Sequence, residues 1–444
     1  MSHSASQRYM DIRNFGARAG GSPCTDAIQA AVAACAAQGG GTVYVPAGDF
    51  LTGPLTLASH TTLYLESGAT LRFCNQPKDF PIIDDQWEGH DCRVYAPLLY
   101  GRDLEDVAVM GRGTIDGQGA PWWKLYRDKM LLYPRPRMIV FSRCRDVRIE
   151  GVRLIDSPNW TVNPVECEHV SIMDLHIENP ADAPTTDGID PCSCRDVMIR
   201  GCRISVGDDC IAIKSGREEC PRRIPCEDIV VTGCIMLHGH GGVVIGSEMS
   251  GDIRRVVVGD CIFRDTDRGI RIKSRRGRGG VVEHILVSNV LMTNVLCPFI
   301  INCFYFCGPH GHDPFIADKQ PRPVTGGTPV VRDINIRNVT AIGVRICAGF
   351  LYGLPERPAE SIHFSDCVVK MAPDGPAGLP DMLDGLHPVA RRGFFCGNIR
   401  QATFSHMELM GYEGPAYTLH RTKGIQMDNC PGVQENRCPD YVTE

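Results

Sequence analysis

From about residue 100 onward, apolar and polar residues alternate in short pieces that recur along the chain. The recurring core reads D-V/I-x-I/V-x-x-apolar: DVAVMG, DVRIEGV, HVSIMDL, DVMIRGC, DIVVTGC, RVVVGDC, HILVSNV, DINIRNV and SIHFSDC. Its second positions are Val107, Val147, Val170, Val197, Ile229, Val256, Ile285, Ile334 and Ile362. Most spacings fall between 23 and 32 residues, with wider gaps of 40 and 49. Alternation with period two predicts strands, and recurrence at this spacing predicts a repeat architecture. No helical pattern of useful length interrupts the series, so the crossovers are expected to be strands and turns. The expectation is an all-β chain wound as a parallel β-helix, a solenoid in which each coil stacks on the last. A propeller would show a more even period and antiparallel hairpin signals.

Ahead of the repeat, PCTDAIQAAVAACAAQGGG predicts one α-helix. Thr25 is its expected N-cap, Ile28, Val32 and Cys35 form its apolar stripe, and Gly39-Gly40-Gly41 ends it. Strand-like pieces follow to about residue 75. A single amphipathic helix here would cap the open end of the solenoid, whose end row of strands would otherwise aggregate. Two irregular stretches interrupt the later coils. One follows Phe304 and contains His310 and His312, read as part of a solvated loop rather than as ligands. The other, about 372–392, is rich in Pro and Gly, and loops of this kind on a rigid scaffold shape binding grooves.

A solenoid grows without a new core, so the 444 residues are read as one domain, 1–444. The cap and first coils take about 8–75, the main coils about 100–431, and a tail 432–444. The formal net charge of −6 offers no cationic field for nucleic acid. No run is long enough for a membrane span. The N-terminus, MSHSASQRYMDIRNFGA, lacks the pattern of a secretory signal. The expected location is cytoplasmic, although a signal removed beforehand would leave the same pattern. There are 22 cysteines. Cys144, Cys167, Cys194 and Cys226 lie three residues before the repeat's second position, and Cys202, Cys234, Cys261 and Cys367 lie five after it. Recurrence at one repeat position reads as stacked small apolar side chains. The zinc alternative lacks a spaced Cys/His set.

Chemistry concentrates between Thr185 and Ser274: Asp187, then Asp208-Asp209, then His240, then Arg271 with Lys273. A short apolar strand follows or spans each cluster: GIDP, CIAIK, GVVIG, GIRIK. Aligning their first apolar residues puts Ile189, Ile211, Val243 and Ile270 in one column. Asp187 then falls beside Asp209, Asp208 beside His240, and Lys214 in the column of Lys273. Stacked coils about 4.8 Å apart would gather three carboxylates, an imidazole and two cations. Adjacent aspartates alone are common in turns. Crowded carboxylates split their proton affinities, so one can stay protonated while another stays ionised. A proton donor and a base-activated water are what glycosidic hydrolysis needs. Arg271 can grip a carboxylate with two prongs and Lys273 adds a point charge, which suits an acidic sugar.

The set TDG, GDDC, GHG and RIK, in this order and spacing, resembles glycoside hydrolase family 28, the polygalacturonases. The segment DIRNFGA…TDAIQAAVAACAAQGGGTVYVPAG resembles the entry to the wider pectate-lyase-like superfamily. The strings SPNWTVNP, TTDGIDPCSC, VGDDCIAIKSG, GHGGVVIGSEMSG, GIRIKSRRGRGG and PFIINCFYFCG resemble the bacterial, often exo-acting branch. The likeness covers most of residues 10–345. It implies a right-handed parallel β-helix and inverting hydrolysis of α-1,4-linked galacturonic acid, with no cofactor. By motif, it implies Asp208 as general acid and Asp187 and Asp209 as activators of the water. His240 would tune or share the proton of Asp208, and Arg271 and Lys273 would hold the uronate. Rung stacking alone would put Asp187 and Asp209 about 5 Å apart, so inversion rests on the resemblance. One departure stands out: the family's first motif is Asn-Thr-Asp, and here Thr185 replaces the Asn and cannot offer its amide N–H.

Further substrate contacts are expected from Arg275, with Arg276 and Arg278 extending the cationic strip, against the alternative of a solvated basic turn. Asn302 aligns with Lys273 on the next coil and Asn163 lies on an earlier one. Both are candidates for the groove or for an internal asparagine ladder. Trp122, Trp123 and Trp160 are expected in packing rather than as sugar platforms. The expected partner is a pectic oligosaccharide or polysaccharide. Competing readings are a hydrolase of rhamnogalacturonan or xylogalacturonan, a calcium-dependent lyase on the same fold, and a non-catalytic carbohydrate-binding β-helix. The acid pair beside His240 fits hydrolysis better than lyase chemistry, and the three aspartates argue against a mere binding module.

Overall fold

The computed structural model describes residues 9–308 and 310–430; the predicted tail, 432–444, lies outside the described residues. The chain divides into two compact units. The first runs up to residue 87 and resumes over 91–207, and the second takes 88–90 and the chain from 208 onward. Within each, strands run parallel in successive coils, the architecture of a right-handed parallel β-helix.

In the first unit, the repeat positions Val107, Val147, Val170 and Val197 pair in register, coil on coil. All four are buried. In the second unit, Ile229, Val256, Ile285, Ile334 and Ile362 form the same kind of column. The residue just before each of these nine has a left-handed backbone: Asp106, Asp146, His169, Asp196, Asp228, Arg255, His284, Asp333 and Ser361, with φ between 53° and 60°. Asp is tolerated there far better than most residues. The first letter of the repeat therefore marks a fixed bend, not a pleat position.

The cysteine columns also have a second role. The thiol of Cys167 accepts from the Cys144 N–H at 3.3 Å, and that of Cys194 from the Cys167 N–H at 3.4 Å. They are buried hydrogen-bond acceptors as well as small apolar filler.

The predicted helix is Thr25–Ala37, with Ile28, Ala31, Val32 and Cys35 buried. Thr25 is its first residue rather than its cap, and Cys24 holds the cap position. The Thr25 hydroxyl instead accepts from the Gly53 N–H at 2.6 Å. At the helix end, Gly40 has φ of +113°, and a Cβ there would come within 2.4 Å of the His60 carbonyl oxygen. A second helix, Ala120–Arg127, interrupts the strands, against expectation. Its eight residues are too few to show a period. Pro121 is tolerated in its first turn, and burial of Trp122 and Trp123 fixes it. The tryptophans pack as predicted. Trp122 meets Phe80 and Tyr95 edge-on, Trp123 Nε1 donates to the Ser157 carbonyl, and Trp160 stacks on Trp87.

The second unit carries a seven-stranded parallel sheet built from Asp209–Ile213, Gly241–Ile245, Arg268–Lys273, Cys297–Asn302, Cys347–Tyr352, Arg392–Gly397 and Tyr417–His420. Ile211, Val243 and Ile270 align, as do Ala212, Val244 and Arg271, and Lys273 pairs with Asn302. Almost every residue of the first five strands is buried on both faces, so these segments lack the in-out alternation of the repeat core. Ile189, expected in a strand, makes only an isolated bridge to Val162 in the first unit.

Candidate active site

Asp208 precedes the strand Asp209–Ile213, and alternation sends the two carboxylates different ways. The Asp209 side chain is fully buried, while that of Asp208 is about a quarter exposed. Asp208 Oδ1 accepts from its neighbour's N–H at 3.0 Å and lies 3.3 Å from His240 Nδ1 on the next coil. The His240 ring is half exposed. Its hydrogen bond to Asp208 outweighs burial and raises its pKa, with Asp208, Asp209 and Asp267 adding attraction.

Asp209 faces the cations. Lys273 Nζ donates to its Oδ2 at 2.6 Å, and Arg271 Nη1 lies 3.7 Å from its Oδ1. Burial would push this carboxyl up, but Lys273, then Arg271 and Lys214, hold it at about 2. Asp209 is thus ionised at any ordinary pH. Burial works against the charge on Lys273, yet Asp209 raises its pKa. Tyr305 lies beneath both cations, its ring centre 5.2 Å from each.

Sequence reasoning missed one member of this group. Asp381, from the irregular loop, is fully buried and accepts from Arg271 Nη2 at 2.5 Å and from Asn302 Nδ2 at 2.8 Å. No motif announces it. The Pro/Gly-rich composition marked the loop but not the residue.

The structure thus brings together Asp208, Asp209, His240, Arg271, Lys273 and Asn302, and adds Asp381. Lys214 adds to the attraction on Asp209, but its ammonium lies 3.3 Å from Glu248. Arg275 is buried, with its guanidinium on Glu218 at 2.6 Å. Arg278 shares Glu218, and Arg276 is held by Glu356. These arginines form buried ion pairs, not the solvated basic turn considered from sequence, because Glu218 and Glu356 reach them from other segments. His310 and His312 are exposed, beside Asp313 and Asp384.

The remaining candidates belong to the first unit. Asp187 is buried, and its carbonyl accepts from the Thr161 N–H. Asn179 fixes this segment by donating to the Thr186 carbonyl and to Thr161 Oγ1. Thr185, the departure from the family motif, has φ of +49°. Its hydroxyl accepts from Arg135 Nη2 and reaches Asn159 Oδ1 at 3.2 Å. Burial lowers the Arg135 guanidinium to about 10, with Tyr126 and Asp187 opposing that shift. Arg135 therefore supplies N–H donors beside a position where the family carries an amide. Asn163 accepts from Arg137 Nη1 at 2.5 Å and donates to the Asp190 carbonyl, a structural part rather than an asparagine ladder.

A carboxylate fixed as an anion by two buried cations, next in sequence to one paired with an imidazole, is an arrangement on a β-helix that can hold and transfer protons. Comparison with known proteins places it. The profile of glycosyl hydrolases family 28 matches residues 35–343, and the chain belongs to that family. It is similar to a probable polygalacturonase of Vitis vinifera, 35% identical over 76% of this chain and 68% of that one. An endo-polygalacturonase of Pectobacterium carotovorum subsp. carotovorum is 33% identical over 72% of this chain and 82% of its own. Among solved structures, a hyperthermoactive exopolygalacturonase from Thermotoga maritima superposes with a TM-score of 0.73. It is 31% identical and covers 82% of this chain and 87% of its own.

Proposed function

We propose that the protein hydrolyses α-1,4-linked galacturonic acid in pectic chains, with inversion, releasing sugar from a chain end. The observation that carries this reading is the division of labour at Asp208-Asp209. Asp209 is locked as an anion by Lys273 and Arg271, which suits a base for water. Asp208 is accessible and shares a hydrogen bond with His240, which suits a proton donor to the leaving oxygen. Asp187 takes its role in activating the water from its motif alone. Arg271 and Lys273 suit a uronate carboxylate. Exo action is supported by the likeness to the Thermotoga exopolygalacturonase. The Pectobacterium endo-polygalacturonase, at similar identity, favours endo action as the second reading. A cytoplasmic site of action on short, imported oligogalacturonides completes the reading; cell fractionation tests it.

The decisive experiment is product analysis, with chelator present, on polygalacturonic acid and a ladder of oligogalacturonides. Steady release of monomer supports exo action, and an early spread of mid-sized oligomers supports endo action. No cleavage of either directs the search to branched pectins. An unsaturated, calcium-dependent product would replace hydrolysis by lyase chemistry.

A further inference from the structure

Residues 379–384 lie across the cationic side of the seven-stranded sheet and are tied down at several points. Arg268 donates to the Pro380 and Leu379 carbonyls, each at 3.0 Å. Asn302 donates to the Met382 carbonyl at 3.1 Å. Between these anchors the Asp381 carboxylate takes Arg271 on one oxygen and Asn302 on the other. Arg271 therefore stands between two carboxylates, 2.5 Å from Asp381 and 3.7 Å from Asp209. The inequality matters because of which Asp209 oxygen is involved. Oδ2 already accepts from Lys273. Oδ1, the oxygen nearer Arg271, has no hydrogen-bond donor among the described residues.

Resting on the hydrolase reading above, we infer that Asp381 is a positioning residue that holds Arg271 away from Asp209 Oδ1, keeping that oxygen's lone pair available to take a proton from water. A base needs a free lone pair as well as a negative charge. A guanidinium closing the 3.7 Å gap would form a charge-assisted hydrogen bond to Oδ1, take one of its two lone-pair sites and weaken its pull on a proton. Asp381 also balances charge. With it, two buried carboxylates face two buried cations. Without it, the excess positive charge would fall on Asp209.

The test compares Asp381→Asn, Asp381→Ser and Asp381→Glu with wild type on trigalacturonate. The two neutral variants should lose kcat by about tenfold or more, with KM changed by less than about threefold, since one decade corresponds to about 1.4 kcal/mol of barrier. Asp381→Glu, which restores the anion, should recover most of the loss. A crystal structure of the Asn variant should show Arg271 within about 3 Å of Asp209 Oδ1, hydrogen-bond distance. Three results would overturn the inference: unchanged kcat, a rise in KM with kcat unchanged, or neither neutral variant folding, which would make Asp381 a fold residue. Wild-type turnover in the same assay is the control. If it is absent, the substrate reading fails; if it is present and the variants match it, only the role of Asp381 fails.

Discussion

His240 and Asp208 are joined twice across adjacent coils: the His240 backbone N–H donates to the Asp208 carbonyl at 2.8 Å, and their side chains meet at 3.3 Å. The backbone bond is part of the coil stacking, so the imidazole is delivered to the carboxylate by the fold itself. The Asp208 carboxylate raises the proton affinity of His240, so the imidazole holds its proton above the ordinary histidine range of about 6.5. Activity should fall on the basic side as this proton is lost. His240→Gln should cut kcat on the order of 10²-fold, a usual size for one acid/base partner, and displace that basic limb. A variant with the wild-type limb would remove His240 from the proton balance. The pairing also stabilises the fold in one direction only. Its contribution is complete below the unfolded histidine pKa and is lost as pH rises through the raised folded value.

Asp208 and Asp209 should differ sharply in what their loss does to stability. Asp208→Asn should abolish turnover with the fold intact, because Asp208 is partly exposed. Asp209→Asn should also abolish turnover but cost about 3–5 kcal/mol of stability, since it leaves Lys273 buried beside a neutral amide. Denaturant unfolding of the two variants checks the ranking, and equal midpoints would contradict it. Asp209 also predicts acid sensitivity. Its carboxyl is held at about 2 against an ordinary 3.8. Its contribution is fully present above the ordinary value and disappears as pH falls from there toward 2.

Much of this was legible because a solenoid turns sequence period into spatial neighbourhood. The column Ile229, Val256, Ile285, Ile334 was a pattern in the string before it was a ladder of paired residues. The same logic put Asp208 beside His240 and Lys273 beside Asn302. The failures lie where contacts are not periodic. Asp381 reaches Arg271 from a loop 110 residues on, and Glu218 and Glu356 capture arginines by paths that no repeat encodes. The left-handed bend at Asp146 and its equivalents was visible only as a recurring letter. Period-two reading treats every residue as pleated, so it could not separate a bend from a strand start.

Thr185 offers a prediction on backbone grounds. It is β-branched yet sits at φ of +49°, where Asn is far better tolerated. Its hydroxyl accepts from Arg135, and an Asn carbonyl oxygen can do the same. Thr185→Asn should therefore raise stability by about 1 kcal/mol, the lower end of the cost of a left-handed non-glycine residue. Thermal unfolding measures it. A lower midpoint would mean that the hydroxyl's second contact, to Asn159, outweighs the strain.

The cysteine ladder predicts an inverted ranking of substitutions. At a buried site filled only for its volume, valine should replace cysteine better than serine does, because serine brings a hydroxyl into an apolar place. Cys167 is buried, but its sulfur accepts the Cys144 N–H and lies 3.2 Å from the Phe141 carbonyl. Valine would leave that N–H without an acceptor inside the first unit, at a cost of about 1–3 kcal/mol. Serine can keep both contacts. Cys167→Ser should therefore unfold at a higher denaturant midpoint than Cys167→Val, with wild type above both because sulfur best fills the space between coils. If valine proves the milder change, the thiols serve as apolar filler alone, and the short sulfur contacts contribute nothing to holding the coils in register.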